Sequence, residues 1–192
     1  VLLIDKPLKW SSFQAVNKLK YILKRKYDLP KKFKIGHAGT LDPLATGLLI
    51  ICTGKFTKQI NDYMGMEKEY TGTITLGAKT PTFDLESEPT NITSLENITP
   101  QKVLDATAQF TGAIMQMPPM HSAIKKDGQR LYLAARNGEE VEIDPRPVTI
   151  YEFEITNIEL PIVHFRVRCS TGTYIRSLAN DFGAALGVGG YL

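Results

Sequence analysis

Between Val163 and Cys169 the chain alternates without a break. Val163, Phe165, Val167 and Cys169 are apolar, and His164, Arg166 and Arg168 stand between them. Successive side chains of a strand point to opposite faces, so this segment is a strand with one face in a core and the other in water. Glu69 to Leu76 repeats the period, with Tyr70, Gly72, Ile74 and Leu76 on one side and threonines on the other. One wet face per strand points to an antiparallel sheet. Val1–Ile4, Leu48–Cys52 and Val148–Ile158 read as further strands.

Helical signals lie between them. Ser11 with Gln14 three residues on forms a capping-box pattern. Behind it Phe13, Val16, Leu19, Ile22 and Leu23 share one face, which predicts a core-facing helix that Pro30 ends. A short helix is expected at about Thr57–Tyr63. Another is expected at Pro100–Phe110, with Pro100 near its start and Gly112 past its end. A fourth runs from Gly172–Thr173 through Leu186, with Ile175, Leu178, Ala179 and Phe182 toward the core. Strands and helices mix without strict alternation, so the expected class is α+β: a mostly antiparallel mixed sheet flanked by helices. A length of 192 residues suits one domain, 1–192. Residues 115–147 mix Met117-Pro118-Pro119 with basic residues and a short helical stretch, Arg130–Arg136, and read as an extended insertion.

The net charge of +3 conceals an uneven distribution. Lys18, Lys20, Lys24, Arg25, Lys26, Lys31, Lys32 and Lys34 face one acid, Asp28, whereas Asp84 to Asp105 carries five acids against Lys102. The basic stripe fits either a solvated helix face or a polyanion-binding surface. Cys52 and Cys169 are far apart and build no disulfide framework, which fits a reducing, cytoplasmic setting. No zinc-binding spacing is present, so no metal is expected. The longest apolar run, Leu48 to Cys52, is too short to span a membrane. Cys52-Thr53-Gly54-Lys55 imitates a phosphate-binding loop, but Leu49 replaces the first glycine and Phe56 the serine or threonine after the lysine.

Some residues stand out chemically. Asp42 lies in Gly36-His37-Ala38-Gly39-Thr40-Leu41-Asp42-Pro43-Leu44-Ala45-Thr46-Gly47, where three glycines allow tight turning or close approach to a ligand. Read locally, Asp42 caps a turn and Pro43 takes a first helical position. Arg176 sits in the first turn of an expected helix, against the helix dipole, and calls for an anion: a phosphate or a buried carboxylate. Tyr70 is either core or a flat surface for stacking a base. His37 and Tyr174 are neighbours of these candidates and carry little signal alone.

Together these segments resemble the TruB family of tRNA pseudouridine synthases, relatives of the dyskerin group. The resemblance covers nearly the whole chain. It rests on Leu3-Ile4-Asp5-Lys6-Pro7 with Ser11-Ser12-Phe13, on Gly36 to Gly47, and on Lys68-Glu69-Tyr70. It continues through Pro118-Pro119 with Ser122-Ala123-Ile124-Lys125 and Gly128, through Arg146-Pro147-Val148, and through Cys169 to Arg176. Ala38, Pro81, His121 and Gly190-Tyr191 depart from the family pattern. The composition of residues 115–147 gives that segment little core to bury and predicts that it is mobile without RNA. The resemblance implies the pseudouridine synthase fold, with 115–147 gripping RNA. It also implies a C-terminal RNA-binding domain absent from this chain. It implies isomerisation of a uridine in the TΨC loop of tRNA by base flipping, glycosidic cleavage and carbon–carbon rejoining, without a cofactor. Asp42, Arg176 and Tyr70 are implied as catalytic, with Arg176 as the cation beside the carboxylate. His37, Tyr70, Tyr174, Lys6 and Lys125 are implied as substrate-binding. The implied protein is a monomer that needs no protein partner and no membrane. From the residues themselves, an RNA-binding module without chemistry and a synthase for another RNA remain open.

Overall fold

The structure, a computed structural model, describes residues 1–122, the backbone of 125–126 and 129–130, and residues 143–192. The chain divides into two compact units, Val1–Met66 and Glu67–Leu192.

The first unit is a three-stranded antiparallel sheet with one long helix and one short one. Strand β3 (Gly47–Thr53) lies between β1 (Leu2–Lys6) and β2 (Ile35–His37). Helix α1 (Ser12–Tyr27) starts at the expected capping box: Ser11 Oγ accepts from Gln14 N–H, and Gln14 Oε1 accepts from Ser11 N–H. Its core face differs from the expected one. Ala15 and Val16 are buried, with Leu19 packed against Leu49 and Ile51, whereas Phe13 is 66% and Ile22 42% exposed. A small sheet offers room for one narrow stripe of the helix, and the outer members of the apolar set fall outside it. A 3₁₀ turn (Gly54–Gln59) and a short helix, α2 (Ile60–Gly65), replace the single helix expected at 57–63.

The second unit is built on a five-stranded antiparallel sheet. Its strands are β4 (Lys68–Leu76), β5 (Gly112–Gln116), β8 (Arg146–Glu159), β9 (Ile162–Cys169) and β10 (Gly190–Tyr191), in the order β10-β4-β9-β8-β5. The alternation at 163–169 and 70–76 is realised. Val163, Val167 and Cys169 are fully buried, and the opposite face carries Arg166 among Glu69, Glu152 and Glu154 at 2.7–3.1 Å. Helices α3 (Pro100–Ala106) and α4 (Ile175–Ala185) complete the unit, α3 passing into a 3₁₀ turn at Thr107–Phe110. Phe153 and Phe182 meet edge-on with centroids 5.4 Å apart, and Phe110 and Phe165 extend the cluster. Gly183 allows α4 to touch the returning chain, since a Cβ there would lie 2.1 Å from Gly190 N.

The insertion is narrower than expected. Met115 pairs with Pro147 and Gln116 with Arg146, so both ends of 115–147 belong to the sheet. Inside it, β6 (Lys125–Lys126) pairs with β7 (Gln129–Arg130), which places Arg130 in a strand. The remainder of the expected helical stretch, the mobility expected without RNA and the Lys125 side chain lie outside the described residues.

Candidate active site

In the first unit the site begins with the loop after β2. Gly39 (φ 116°) and Gly47 (φ 111°) adopt left-handed backbone that side chains disfavour, with open space around each. Between them Ala45 N–H donates to Asp42 C=O at 3.0 Å, closing a turn with Pro43 at its second position. The local reading was therefore right about a turn and wrong about a helix start. His37 Nδ1 pairs with Gly39 C=O, which in the neutral ring makes Nδ1 the donor and leaves Nε2 as an acceptor.

The backbone on both sides of Asp42 is held by the segment around the start of α1. Ser12 Oγ donates to Leu41 C=O at 3.1 Å and accepts from Leu41 N–H at 2.9 Å. Lys9 N–H donates to Pro43 C=O at 2.8 Å. Lys6 has no exposed surface, and its Nζ donates to the carbonyls of Pro7 (3.0 Å), Trp10 and Pro43 (3.5 Å). Burial pushes its ammonium below the ordinary 10.5, while the Asp42 carboxylate pulls the other way. An ammonium enclosed by three carbonyls clamps the chain on which Asp42 stands.

In the second unit Arg176 is 6% exposed at the start of α4. Its guanidinium donates to Thr82 C=O at 3.1 Å and His121 C=O at 3.0 Å, and Nε lies 3.6 Å from Asp84 Oδ2. The anion that a cation at a helix start calls for is thus present as a buried carboxylate. Asp84, 4% exposed, is fixed by a tight loop in which its Oδ1 also accepts from Glu86 N–H. Tyr174 is the residue before α4. Buried Gln116, at the end of β5, grips its backbone in both directions: Nε2 donates to Tyr174 C=O (3.1 Å) and Oε1 accepts from its N–H (2.8 Å). Ser177 Oγ donates to Met117 C=O at 2.7 Å and strengthens the same junction. Tyr70 stands on β4, half-buried against the core, opposite Val167. Beside it, burial pushes the Cys169 thiol up and the Lys68 ammonium down, so Cys169 stays protonated and inert. Among the described residues no three His, Cys, Asp or Glu side chains converge as a metal site would. No described helix is long and apolar enough to cross a membrane.

The family profile described as TruB family pseudouridylate synthase (N terminal domain) matches residues 23–175. The chain belongs to the TruB family. A curated relative named tRNA pseudouridine synthase B, from Flavobacterium johnsoniae, is 64% identical over 192 residues, covering all of this chain and 84% of its own. One of the same name from Parabacteroides distasonis is 50% identical, with 81% of its length covered. Among solved structures, a Cbf5-Nop10-Gar1 complex matches with TM-score 0.71 at 30% identity over 98% of this chain. An H/ACA RNP bound to a substrate RNA containing 2′-deoxyuridine matches with TM-score 0.64 at 26% identity. This TruB chain spans less than half of those two chains.

The sequence singles out Asp42, Arg176 and Tyr174 but not the residues that hold the Asp42 loop, Arg176 and Tyr174 in place. Ser12, Asp84 and Gln116 lie 29, 92 and 58 positions from what they grip, beyond the reach of spacing arguments. Arg176 alone gave a signal, since a cation opposing a helix dipole demands an anion.

Proposed function

We infer that Asp42 is the carboxylate with which this TruB-family synthase converts a uridine of tRNA into pseudouridine. The observation that carries the assignment is the hold on the Asp42 backbone from both sides by Lys6, Lys9 and Ser12, in a loop whose glycines leave open space. Chain folding places one acid in a fixed position at an accessible loop, as a reaction at a single carbon requires. Substrate and product contain the same atoms, so neither a redox partner nor an energy source enters the balance. The N1–C1′ bond breaks, the base turns, and C5 joins C1′.

Asp42 acts as nucleophile or as base, and both roles require its ionised form. Arg176 supplies the accompanying positive charge, an assignment that rests on the TruB resemblance. Its guanidinium is oriented by the Thr82 and His121 carbonyls and by Asp84. Tyr70 offers an aromatic face for the flipped base, and Tyr174 and His37 line the base's surroundings. Extruding the base takes a few kcal/mol, which RNA binding must supply. The substrate is the TΨC stem-loop, bound by a monomer that requires no protein partner, in the cytoplasm.

The test uses purified protein and an unmodified tRNA transcript, with mass-tagged mapping of pseudouridine. The product is expected at one TΨC-loop uridine. Asp42→Asn is expected to abolish it while RNA binding persists. Turnover retained in that variant would remove Asp42 from the chemistry.

A further inference from the structure

Charge is divided between the two units more sharply than the total suggests. Val1–Met66 contains twelve Lys and Arg against four Asp and Glu, and the rest of the chain has eleven against sixteen. Most of the excess lies on one rim of the first unit. Lys18, Arg25 and Lys26 are exposed on α1, and Lys31, Lys32 and Lys34 are exposed on the loop that follows. Lys24 Nζ donates to Lys31 C=O at 3.4 Å and draws that loop back to the helix end. The pairing of β2 with β3 adds a third contributor. Ile35 opposes Thr53, and Gly54 N–H donates to Lys34 C=O at 2.9 Å, so the 3₁₀ turn with exposed Lys55 and Lys58 adjoins Lys34.

A helix dipole explains only part of this. Cations in the last turn contribute about 0.3–1 kcal/mol each, which accounts for Lys24, Arg25 and Lys26. The five lysines of the loop and the 3₁₀ turn lie outside the helix. Among the described residues no carboxylate pairs with any of them. Aromatic rings are interleaved and exposed: Tyr21 and Tyr27 at 60%, Phe56 at 38%. Each has a cation at hand. Arg25 donates to Tyr21 Oη at 3.5 Å, Lys26 Nζ lies 5.5 Å from the Tyr27 ring centre, and Lys55 Nζ lies 5.8 Å from that of Phe56. Uncompensated cations with open aromatic faces suit phosphates flanked by bases. Lys34 directly precedes β2 and the Asp42 loop follows it, a span of roughly 10 Å along three strand residues.

We propose that this rim, formed by the end of α1, the loop 28–34 and the 3₁₀ turn 54–59, is a second RNA-binding surface that holds the phosphodiester backbone outside the reacting nucleotide, independent of sequence. It rests on the reading of the chain as an RNA-modifying enzyme and extends that reading to residues that take no part in the chemistry. The ligand is a run of phosphates on a structured RNA, contacted by flexible ammonium groups.

Two variants of the full chain test it: Lys31→Gln/Lys32→Gln/Lys34→Gln, and Lys55→Gln/Lys58→Gln. Binding of an unmodified tRNA is measured between about 50 and about 200 mM salt, where each phosphate contact contributes roughly 0.7–0.9 to the slope of log affinity against log salt. The triple variant is expected to lose about 2 from that slope and the double about 1.5, equally for tRNAs of different sequence. Circular dichroism melts confirm folding; if one variant does not fold, the other decides. Unchanged slopes overturn the proposal. Unchanged slopes with lost binding to phosphatidylserine vesicles would assign the rim to an anionic membrane instead, which also overturns it. Failure of the wild type to make pseudouridine, with the slope differences present, would sink the functional reading and leave the RNA surface standing.

Discussion

Single side chains set the site. Ser12 makes both of its hydrogen bonds to the backbone of Leu41, the residue before Asp42. Ser12→Ala leaves a half-buried N–H and C=O unmatched, which costs about 1–3 kcal/mol. A lower melting temperature is expected, with turnover reduced more than tRNA affinity, as steady-state kinetics and a binding titration would show. Normal kcat in that variant would mean the loop keeps its shape unaided. Asp181 gives a pH-dependent counterpart. It lines a groove with Phe83, Met117 and Met120, and burial raises its carboxyl above the ordinary 3.8 despite a hydrogen bond from Asn180. A raised acid binds its proton more tightly in the folded state, so its contribution is most favourable at low pH and is lost as pH rises through the folded value. Asp181→Asn keeps the acceptor for Asn180 and is expected to melt higher than wild type at neutral pH. The gap should close as pH falls toward 3.8. A gap independent of pH would show that charge is not the cause.

Elements show what periodicity reveals and what it hides. The β4 and β9 strands were legible because an alternating pattern needs no knowledge of the partner, and the Ser11–Gln14 cap because it is complete within four residues. The exposure of Phe13 and Ile22 was not legible: how much of a helix face is covered depends on the width of the sheet beneath it. The ends of the insertion were hidden for a similar reason, since Met115 and Pro147 become strand residues only by pairing across thirty-two positions. At the site, the Asp42 motif was readable from its local glycines, whereas Asp84 and Gln116 act on residues remote in the chain. The contact of α4 with the chain before β10 was invisible in Gly183 alone. Gly183→Ala brings a methyl within 2.1–2.5 Å of the Gly189–Gly190 backbone, where no flexible group can yield. Displacing packed backbone costs about 1–3 kcal/mol or more, so a large fall in denaturation midpoint is expected. An unchanged midpoint would disprove the close packing.

The molecule contains two cores of unequal size. Among the described residues, the core cluster of the first unit is Ala15, Val16, Leu49 and Ile51, while that of the second comprises fifteen residues including Phe153, Phe165 and Phe182. Local opening is easiest where few apolar contacts must break. Amides of β9, bonded on both sides by β4 and β8, are expected to exchange with solvent most slowly, and those of the three-residue β2 much faster. Hydrogen exchange resolved by mass spectrometry checks this; equal protection in the two strands would contradict it.

The enclosed Lys6 ammonium has one more consequence. Its three carbonyl partners come from residues 7, 10 and 43, all within the first unit. The backbone next to Asp42 is therefore held in advance: its entropy of localisation is spent during folding, before any encounter with RNA. Affinity gained from nucleic acid can then go to everting the base rather than to arranging the catalyst.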